Sequence, residues 1–370
     1  MMMTTYDALF RPFDLGGLHL ANRIVMAPMT RWKSPDQFPG PDVAAYYRRR
    51  AENGVGLIVT EGTTIDHPTS SYSVRVPAFH GAALEGWRRV VDGVHEAGGK
   101  IVPQIWHVGA MRHPSNDYPN RHLPNSSPSG LFRPGGKQAS EPLTKGEITE
   151  VVDSFARAAA DARALGFDGV EIHGAHGYIL DAFLWDGLNI RDDEYGGDAV
   201  ARTRFAVEVV SAVRAAVGPD FPVILRISQW KQQHYGARLA DTPELLKAIF
   251  QPIADAGVDI FHCSQRRYWE PEFPGSAMNL AGWIRQLLNK PTITVGSVGM
   301  SGPMSVTDVG ERAEVSTDLS PLLARLEAGE FDLVAVGRSL LADPEWAAKL
   351  REGRLGELKP FTKEALDTLI

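Results

Sequence analysis

Cysteine is nearly absent from this chain, which carries Cys263 alone among 370 residues. A disulfide within the chain is therefore impossible, and zinc or iron–sulfur centres that need four cysteine ligands are excluded. No apolar run approaches the ~20 residues that a membrane helix requires. The first residues also lack the basic and then apolar profile of a signal peptide. We therefore expect a cytoplasmic protein.

An excess of basic charge is also missing, since the formal net charge is −7 and the sequence pI is near 5.9. Neither a nucleic acid nor a membrane surface is thus an expected partner. Hydrophobic residues make up 44% of the chain and charged residues 22%, as in ordinary globular proteins. The length allows one large domain or two ordinary ones.

What the sequence does contain is a recurring order of short apolar strand, amphipathic helix and next strand. Several predicted helices end in glycine just before the following strand, as a helix C-cap does. The predicted strands begin at Asn22, Val55, Lys100, Asp168, Pro222, Val258, Pro291 and Phe331. Because these strands are apolar on both faces and alternate with helices, they predict a parallel sheet buried on both sides.

Eight such units favour a closed (β/α)₈ TIM barrel over an open doubly wound sheet. An open dinucleotide-binding sheet would also show GxGxxG after an early strand, and none stands in that context. The segment before Asn22 predicts a hairpin that plugs the bottom of the barrel. The segment from about residue 108 to 144 is rich in Pro, Ser, Asn and Gly and is long for a βα connection. It follows the third strand, so we expect a capping loop on the catalytic face.

Polar residues interrupt several of these strands on one face. Side chains alternate along a strand, so Gln104, His173 and Arg226 gather near the carboxyl ends of three successive strands if their faces point inward. In the seventh strand the corresponding face would carry Thr292 and Thr294. Barrel enzymes place their chemistry at these ends.

Burial of Arg226 costs several kcal/mol unless a partner compensates its charge. A bound polar ligand is one possible partner. An internal ion pair with Glu171 on the neighbouring strand is the other, and the sequence favours neither.

The segment EIHGAHGYILDAF places two histidines three residues apart at the end of an apolar strand. Residues three apart in a strand face opposite sides, so His173 and His176 converge only if the chain bends, a freedom that we assign to Gly174 and Gly177. Two imidazoles at one point can ligate a metal or donate two hydrogen bonds to one oxygen. The metal interpretation lacks a third ligand and an HExxH motif. One histidine could also be an ordinary core residue.

Glycine-rich ends of the last two strands point to phosphate. The seventh strand ends in Gly296-Ser297 and the eighth in Gly337-Arg338. In a barrel these two loops commonly hold a phosphate through backbone N–H groups and a cationic side chain.

Together these residues resemble the Old Yellow Enzyme family of FMN-dependent ene-reductases over nearly the whole chain. The motifs that carry the resemblance are ANRIVMAPMTR, QIWHVG, HGAHGYILDAFLWDGLNIRDDEYGG, TVGSV and VAVGRSLLADP. The resemblance implies one FMN-binding TIM-barrel domain over residues 1–370, with FMN bound noncovalently and NAD(P)H as reductant. It also implies cofactor contacts for Pro28, Met29, Thr30, Gln104, Arg226, Gly296, Ser297, Gly337 and Arg338.

The same resemblance implies the chemistry. His173 and His176 would grip the oxygen of an α,β-unsaturated carbonyl compound, hydride would come from flavin N5, and Tyr178 would supply the proton. Trp269, in the loop after the sixth strand, would line the substrate pocket or pack that loop on the barrel; we expect Phe273 to pack. Monomer and homodimer are both compatible.

Three alternatives stay open. A flavoprotein of the same fold could act on nitro compounds or nitrate esters. A metal-dependent barrel hydrolase could use the two histidines as ligands, and a barrel without catalysis could only bind ligands. Larger dienoyl-reductase relatives carry an iron–sulfur cluster and a second nucleotide domain, against which one cysteine and 370 residues argue.

Overall fold

A computed structural model describes residues 6–301 and 313–370 and shows a closed barrel of eight parallel strands. In the order β10-β3-β4-β5-β6-β7-β8-β9, each strand pairs with the next and the last with the first. The strands are β1 (Phe13–Leu15), β2 (Leu18–Leu20), β3 (Ile24–Met26), β4 (Leu57–Thr64), β5 (Ile101–Trp106), β6 (Val170–His176), β7 (Val223–Lys231), β8 (Ile260–Ser264), β9 (Thr292–Val295) and β10 (Leu333–Val336). The predicted (β/α)₈ barrel and its strands are confirmed.

Helices connect these strands around the outside of the barrel. They are α1 (Pro41–Glu52), α2 (Ala83–Glu96), α3 (Lys145–Leu165), α4 (Ile179–Leu184), α5 (Arg204–Val217), α6 (Pro243–Asp255), α7 (Leu280–Leu288), α8 (Ser320–Glu327), α9 (Arg338–Ala342) and α10 (Trp346–Glu352). Helix α3 shows why such segments start and stop where they do. Thr144 and Glu147 form a capping box at its start, and Gly166 ends it with φ 87°. Within the described residues no helix is long and apolar enough to cross a membrane.

The lower half of the barrel lumen is an apolar core closed by the N-terminal hairpin. Strands β1 and β2 pair antiparallel, with Phe13 opposite Leu20. Their apolar side chains form one cluster with inward residues of the barrel strands, namely Val25, Ala27, Leu57, Val59, Val102, Ile224, Ile260, Ile293, Leu333 and Ala335. The predicted plug is therefore confirmed, and it leaves the carboxyl ends of the strands free for a site.

The lumen cluster also corrects the predicted face of the seventh barrel strand. Ile293 occupies the lumen, so Thr292 and Thr294 face the surrounding helices. There the Asn279 amide donates a hydrogen bond of 3.0 Å to the Thr294 hydroxyl. Both the isoleucine and the threonines of this strand are buried. The apolar Ile293 fills the lumen, and the two threonines lie on the opposite face.

The long segment after β5 reaches α3 with almost no regular structure, as predicted. An isolated antiparallel bridge joins Leu131 to Gln138. Arg112 is buried within the loop and donates to the carbonyl oxygens of Pro119 and Asn120 at 3.0 and 2.7 Å. Because the buried Arg112 guanidinium donates hydrogen bonds to carbonyl oxygens of its own loop, this capping loop keeps a defined conformation at the catalytic end of the barrel.

Leu18 tests the contribution of the hairpin plug. It is 1% exposed and lies in the lumen cluster, so Leu18→Ala should lower the free energy of unfolding by about 2–5 kcal/mol through the cavity it leaves. The neighbouring His19 side chain is exposed, and His19→Ala should change it by less than about 0.5 kcal/mol. Urea unfolding measures both variants, and equal values for the two would show that the hairpin does not seal the barrel.

Candidate active site

A cavity opens at the carboxyl ends of the barrel strands, where the predicted site residues were expected. Its lining includes eight of them: Pro28, Met29, His176, Arg226, Gly296, Ser297, Gly337 and Arg338. The lining also includes Trp230 at the end of β7 and Ser264 and Arg266 at the end of β8, which the sequence did not single out. Their position at strand ends was the signal that could have identified them.

Arg226 is buried in this cavity without a protein partner for its charge. Within residues 6–301 and 313–370 no hydrogen bond or ion pair of its guanidinium is found, and its Nε atom is fully buried. Burial lowers the pKa of Arg226, while the nearby Glu171 charge raises it. Even with its pKa lowered, a guanidinium keeps its proton at neutral pH, so a cation faces the cavity.

The predicted alternative, a direct Arg226–Glu171 ion pair, is wrong, because other side chains occupy the Glu171 carboxylate. Its Oε1 atom accepts a 2.7 Å hydrogen bond from the Gln104 amide, and its Oε2 atom lies 2.7 Å from His262 Nδ1. His262 follows Ile260 by two residues, so strand alternation alone could have placed it inside the barrel. With its Nε2H₂ group bound to Glu171, Gln104 keeps its amide oxygen available for a donor.

Of the two glycines predicted to bend the histidine turn, Gly177 does so and Gly174 does not. His176 itself adopts a left-handed conformation with φ 66°, followed by Gly177 with φ 82°. Gly174 has no such angle. A Cβ atom there would instead lie 2.9 Å from Leu225 Cδ1, so Gly174 allows close packing on β7. A bulge in the pairing of β6 and β7 accompanies the bend.

The bend brings the three predicted catalytic side chains together. The His173 ring lies 5.1 Å from the His176 ring and 4.8 Å from the Tyr178 ring, measured between centroids. Trp106 packs against both His173 and Tyr178 and forms one wall of this cluster. The predicted convergence of the two histidines is confirmed.

Burial sets the protonation states of this cluster. It lowers the pKa of His173 and His176 well below the usual range, and the Arg226 charge lowers both further. Burial likewise raises the pKa of the Tyr178 hydroxyl above its usual value. At neutral pH both imidazoles are therefore neutral, each with one N–H donor, and the tyrosine keeps its proton.

Ser264 and Trp230 fix the second histidine from the cavity side. His176 Nε2 lies 2.8 Å from the Ser264 hydroxyl, and the Trp230 ring packs against the imidazole at 4.4 Å. The Trp230 indole N–H donates in turn to the Ser264 carbonyl oxygen at 3.1 Å. The ring of His176 is thus held in one orientation at the cavity edge.

A fully buried ion pair anchors the turn from below. Lys231 Nζ donates to Asp181 Oδ1 at 2.7 Å, and Asp181 Oδ2 accepts from the Gly177 backbone N–H at 2.7 Å. Both charged side chains are fully buried. The pair therefore ties the end of β7 to the backbone between His176 and Tyr178.

The remaining predicted site residues lie apart from this cavity lining. The Thr30 side chain hydrogen-bonds Tyr72, whose pKa burial raises to about 12. Trp269 is 41% exposed and packs edge-on against Tyr268, outside the cavity. Phe273 is buried and packs on Trp283, as expected.

The metal alternative gains no support from the geometry. In the described parts of the chain, no group of three or more His, Cys, Asp or Glu side chains is arranged to hold a metal ion. The two histidines are flanked by Arg226, which would repel a cation.

Lys231 tests how firmly the turn is anchored. Lys231→Met leaves a buried carboxylate without its partner and should lower the free energy of unfolding by about 3–5 kcal/mol. Adding Asp181→Asn should restore part of that loss. Lys247→Met, at an exposed position of α6, serves as control in the same urea titration. A Lys231→Met variant as stable as the control would show that the ion pair does not hold the turn.

The sequence and fold match known proteins. Residues 8–357 match the model of the NADH:flavin oxidoreductase / NADH oxidase family. The chain is 33% identical over 368 residues to an NADH oxidase of Thermoanaerobacter brockii, covering 96% of this chain and 52% of that protein. The chain thus spans about half the length of that relative.

Two further relatives are matched along most of their length. The putative 12-oxophytodienoate reductase 3 of Oryza sativa subsp. japonica is 42% identical over 361 residues, covering 91% of this chain and 84% of the relative. A morphinone reductase structure in complex with tetrahydroNAD superposes with TM-score 0.79 at 30% identity, covering 97% of this chain and 93% of the other.

The cavity fits the FMN that this family name implies. Within residues 6–301 and 313–370 the buried cation of Arg226 forms no direct ion pair or hydrogen bond, and the loops after β9 and β10 line the same space. A Cβ atom at Gly296 would lie 2.7 Å from the Gln265 carbonyl oxygen, so the close approach of the loops after β8 and β9 requires glycine. On sequence, fold and site, the chain belongs to the Old Yellow Enzyme family of NADH:flavin oxidoreductases.

Proposed function

We propose that this protein reduces the activated C=C bond of α,β-unsaturated carbonyl compounds with NAD(P)H. The observation that carries the proposal is the convergence of two neutral imidazoles and a protonated tyrosine beside a cavity lined by Arg226, which forms no direct ion pair among the described residues. The residues that would hold FMN are Pro28, Met29, Thr30, Gln104, Arg226, Gly296, Ser297, Gly337 and Arg338. When bound, FMN supplies the two-electron chemistry by accepting hydride from NAD(P)H and passing it to the substrate.

The two histidines orient and polarise the substrate. Each neutral imidazole donates one N–H to the carbonyl oxygen, which withdraws electron density from the β-carbon. Neutral donors suit this role because a positive charge beside Arg226 would be costly in a buried site. The Ser264 hydroxyl at His176 Nε2 helps to select which ring nitrogen carries the proton.

Tyr178 holds the proton that the α-carbon receives. Its hydroxyl stays protonated at neutral pH because burial raises its pKa, and it lies on the same turn as the oxygen-binding pair. With FMN bound, Arg226 would compensate negative charge on the reduced cofactor. Trp269 stays a prediction as a substrate contact, since its side chain lies outside the cavity lining.

The residue range that forms one functional domain is also part of the proposal. We infer that residues 1–370 act as one FMN-binding unit, in which the capping loop covers the tyrosine side of the site. Val108 and Met111 of that loop pack with Trp106 and Tyr178. Monomer and homodimer both stay compatible with this arrangement.

A spectroscopic experiment tests the function directly. The purified protein should show the visible flavin spectrum, lose it under anaerobic NADH or NADPH, and recover it when 2-cyclohexenone is added. A nitroarene run in parallel separates the two substrate classes. Recovery with the nitroarene alone would contradict the enone proposal, and a protein that takes up no FMN would contradict the cofactor assignment.

The histidine pair should affect only the second half-reaction, in which 2-cyclohexenone reoxidises the reduced protein. His173→Ala with His176→Ala removes both donors and should slow reoxidation by 2-cyclohexenone by roughly 100-fold or more. FMN binding and reduction by NAD(P)H should persist. His113→Ala, an exposed histidine of the capping loop, is the control. Stopped-flow rates decide, and reoxidation by enone at the original rate would mean that other groups bind the oxygen.

A further inference from the structure

The Tyr178 hydroxyl has a hydrogen-bond partner that was not predicted from the sequence and has no role in the chemistry proposed above. Gln232, the residue after β7, donates from its amide Nε2 to the Tyr178 hydroxyl oxygen at 2.8 Å. Within residues 6–301 and 313–370 this is the hydroxyl's only hydrogen bond. Tyr178 is buried, whereas Gln232 is exposed. The glutamine therefore stands between the hydroxyl and the solvent.

The backbone fixes this contact independently of the glutamine side chain. The Gln232 backbone N–H donates to the His176 carbonyl oxygen at 3.3 Å. One residue earlier, Lys231 is anchored to Asp181 by the buried ion pair. One residue later, the Gln233 amide donates to the Gly177 carbonyl oxygen at 3.2 Å. Residue 232 is thus held over the tyrosine whatever side chain it carries.

The direction of the hydrogen bond has a chemical consequence. A phenol has one O–H donor, and here its oxygen accepts from Gln232. The phenol proton is therefore left unused by the glutamine and can point toward a substrate. The same N–H donor stabilises a negative oxygen, and accordingly it lowers the pKa of Tyr178 against the larger, raising effect of burial.

We propose that Gln232 is a positioning residue for proton transfer from Tyr178, an inference that rests on the proposed function. After hydride has reached the β-carbon, the electron pair of the substrate enolate forms the new C–H bond at the α-carbon. The Tyr178 O–H bond breaks and leaves a tyrosinate. The Gln232 amide stabilises that tyrosinate until water on the exposed side returns a proton to it.

Two substitutions of Gln232 distinguish a role of its amide N–H donor from a role of its side-chain volume. Gln232→Leu removes the donor and should slow reoxidation by 2-cyclohexenone roughly threefold to tenfold, in kcat more than in KM, with a larger solvent deuterium isotope effect. Gln232→Glu keeps the size but offers a carboxylate that accepts the phenol proton, so the loss should be larger. Reduction by NAD(P)H should be unchanged. Gln251→Leu, at a half-buried glutamine of α6 whose side chain forms a solvent-exposed hydrogen bond with Asp255, is the matched control.

A double-mutant cycle with Tyr178→Phe tests the coupling. In that background Gln232→Leu should have no further effect on the enone rate. The two substitutions should also be non-additive in the urea midpoint of unfolding, a measurement that needs no turnover. If Tyr178→Phe slows the enone reaction but both Gln232 variants match the control, the role of Gln232 is overturned while the proton donor stands. If Tyr178→Phe itself has no effect, the proton-donor assignment fails and the Gln232 inference falls with it.

Discussion

A buried guanidinium that forms no direct ion pair or hydrogen bond within residues 6–301 and 313–370 is the constraint on which the rest of this site depends. Arg226 lies near the middle of β7, and the nearby carboxylate of Glu171 is bound to Gln104 and His262. A barrel that only had to be stable would gain by pairing or replacing such a charge. An anionic ligand would supply the missing partner, and the glycine-containing loops after β9 and β10 open onto the same cavity.

The second constraint is the bend after β6. A non-glycine residue in the left-handed region, His176, is strained unless its surroundings fix it. Here they do so from three sides, through Ser264, through the Lys231–Asp181 ion pair, and through the residues that follow β7. Two of these three contacts come from β7 and the residues after it, and β7 also carries Arg226. One pair of neighbouring strands, β6 and β7, therefore carries both the histidine pair and Arg226.

Much of this could be predicted from the sequence, because strand alternation and glycine-ended helices are local signals. The eight barrel strands, the hairpin plug and the convergence of His173 with His176 followed from them. Packing choices between strands could not be predicted in that way. Three features depend on how neighbouring side chains pack: the outward orientation of Thr294, the bend at His176 rather than Gly174, and the hydrogen bond between Glu171 and His262. The alternation of side chains along one strand does not show which packing arrangement is the more stable.

The midpoint potential of bound FMN tests the central claim most directly. If Arg226 compensates negative charge on the reduced cofactor, Arg226→Met should lower the two-electron potential by several tens of millivolts, since about 30 mV corresponds to 1.4 kcal/mol. Arg89→Met, on the exposed side of α2, should leave it unchanged. A potential that is the same in the Arg226→Met variant and the unmodified protein would contradict the account.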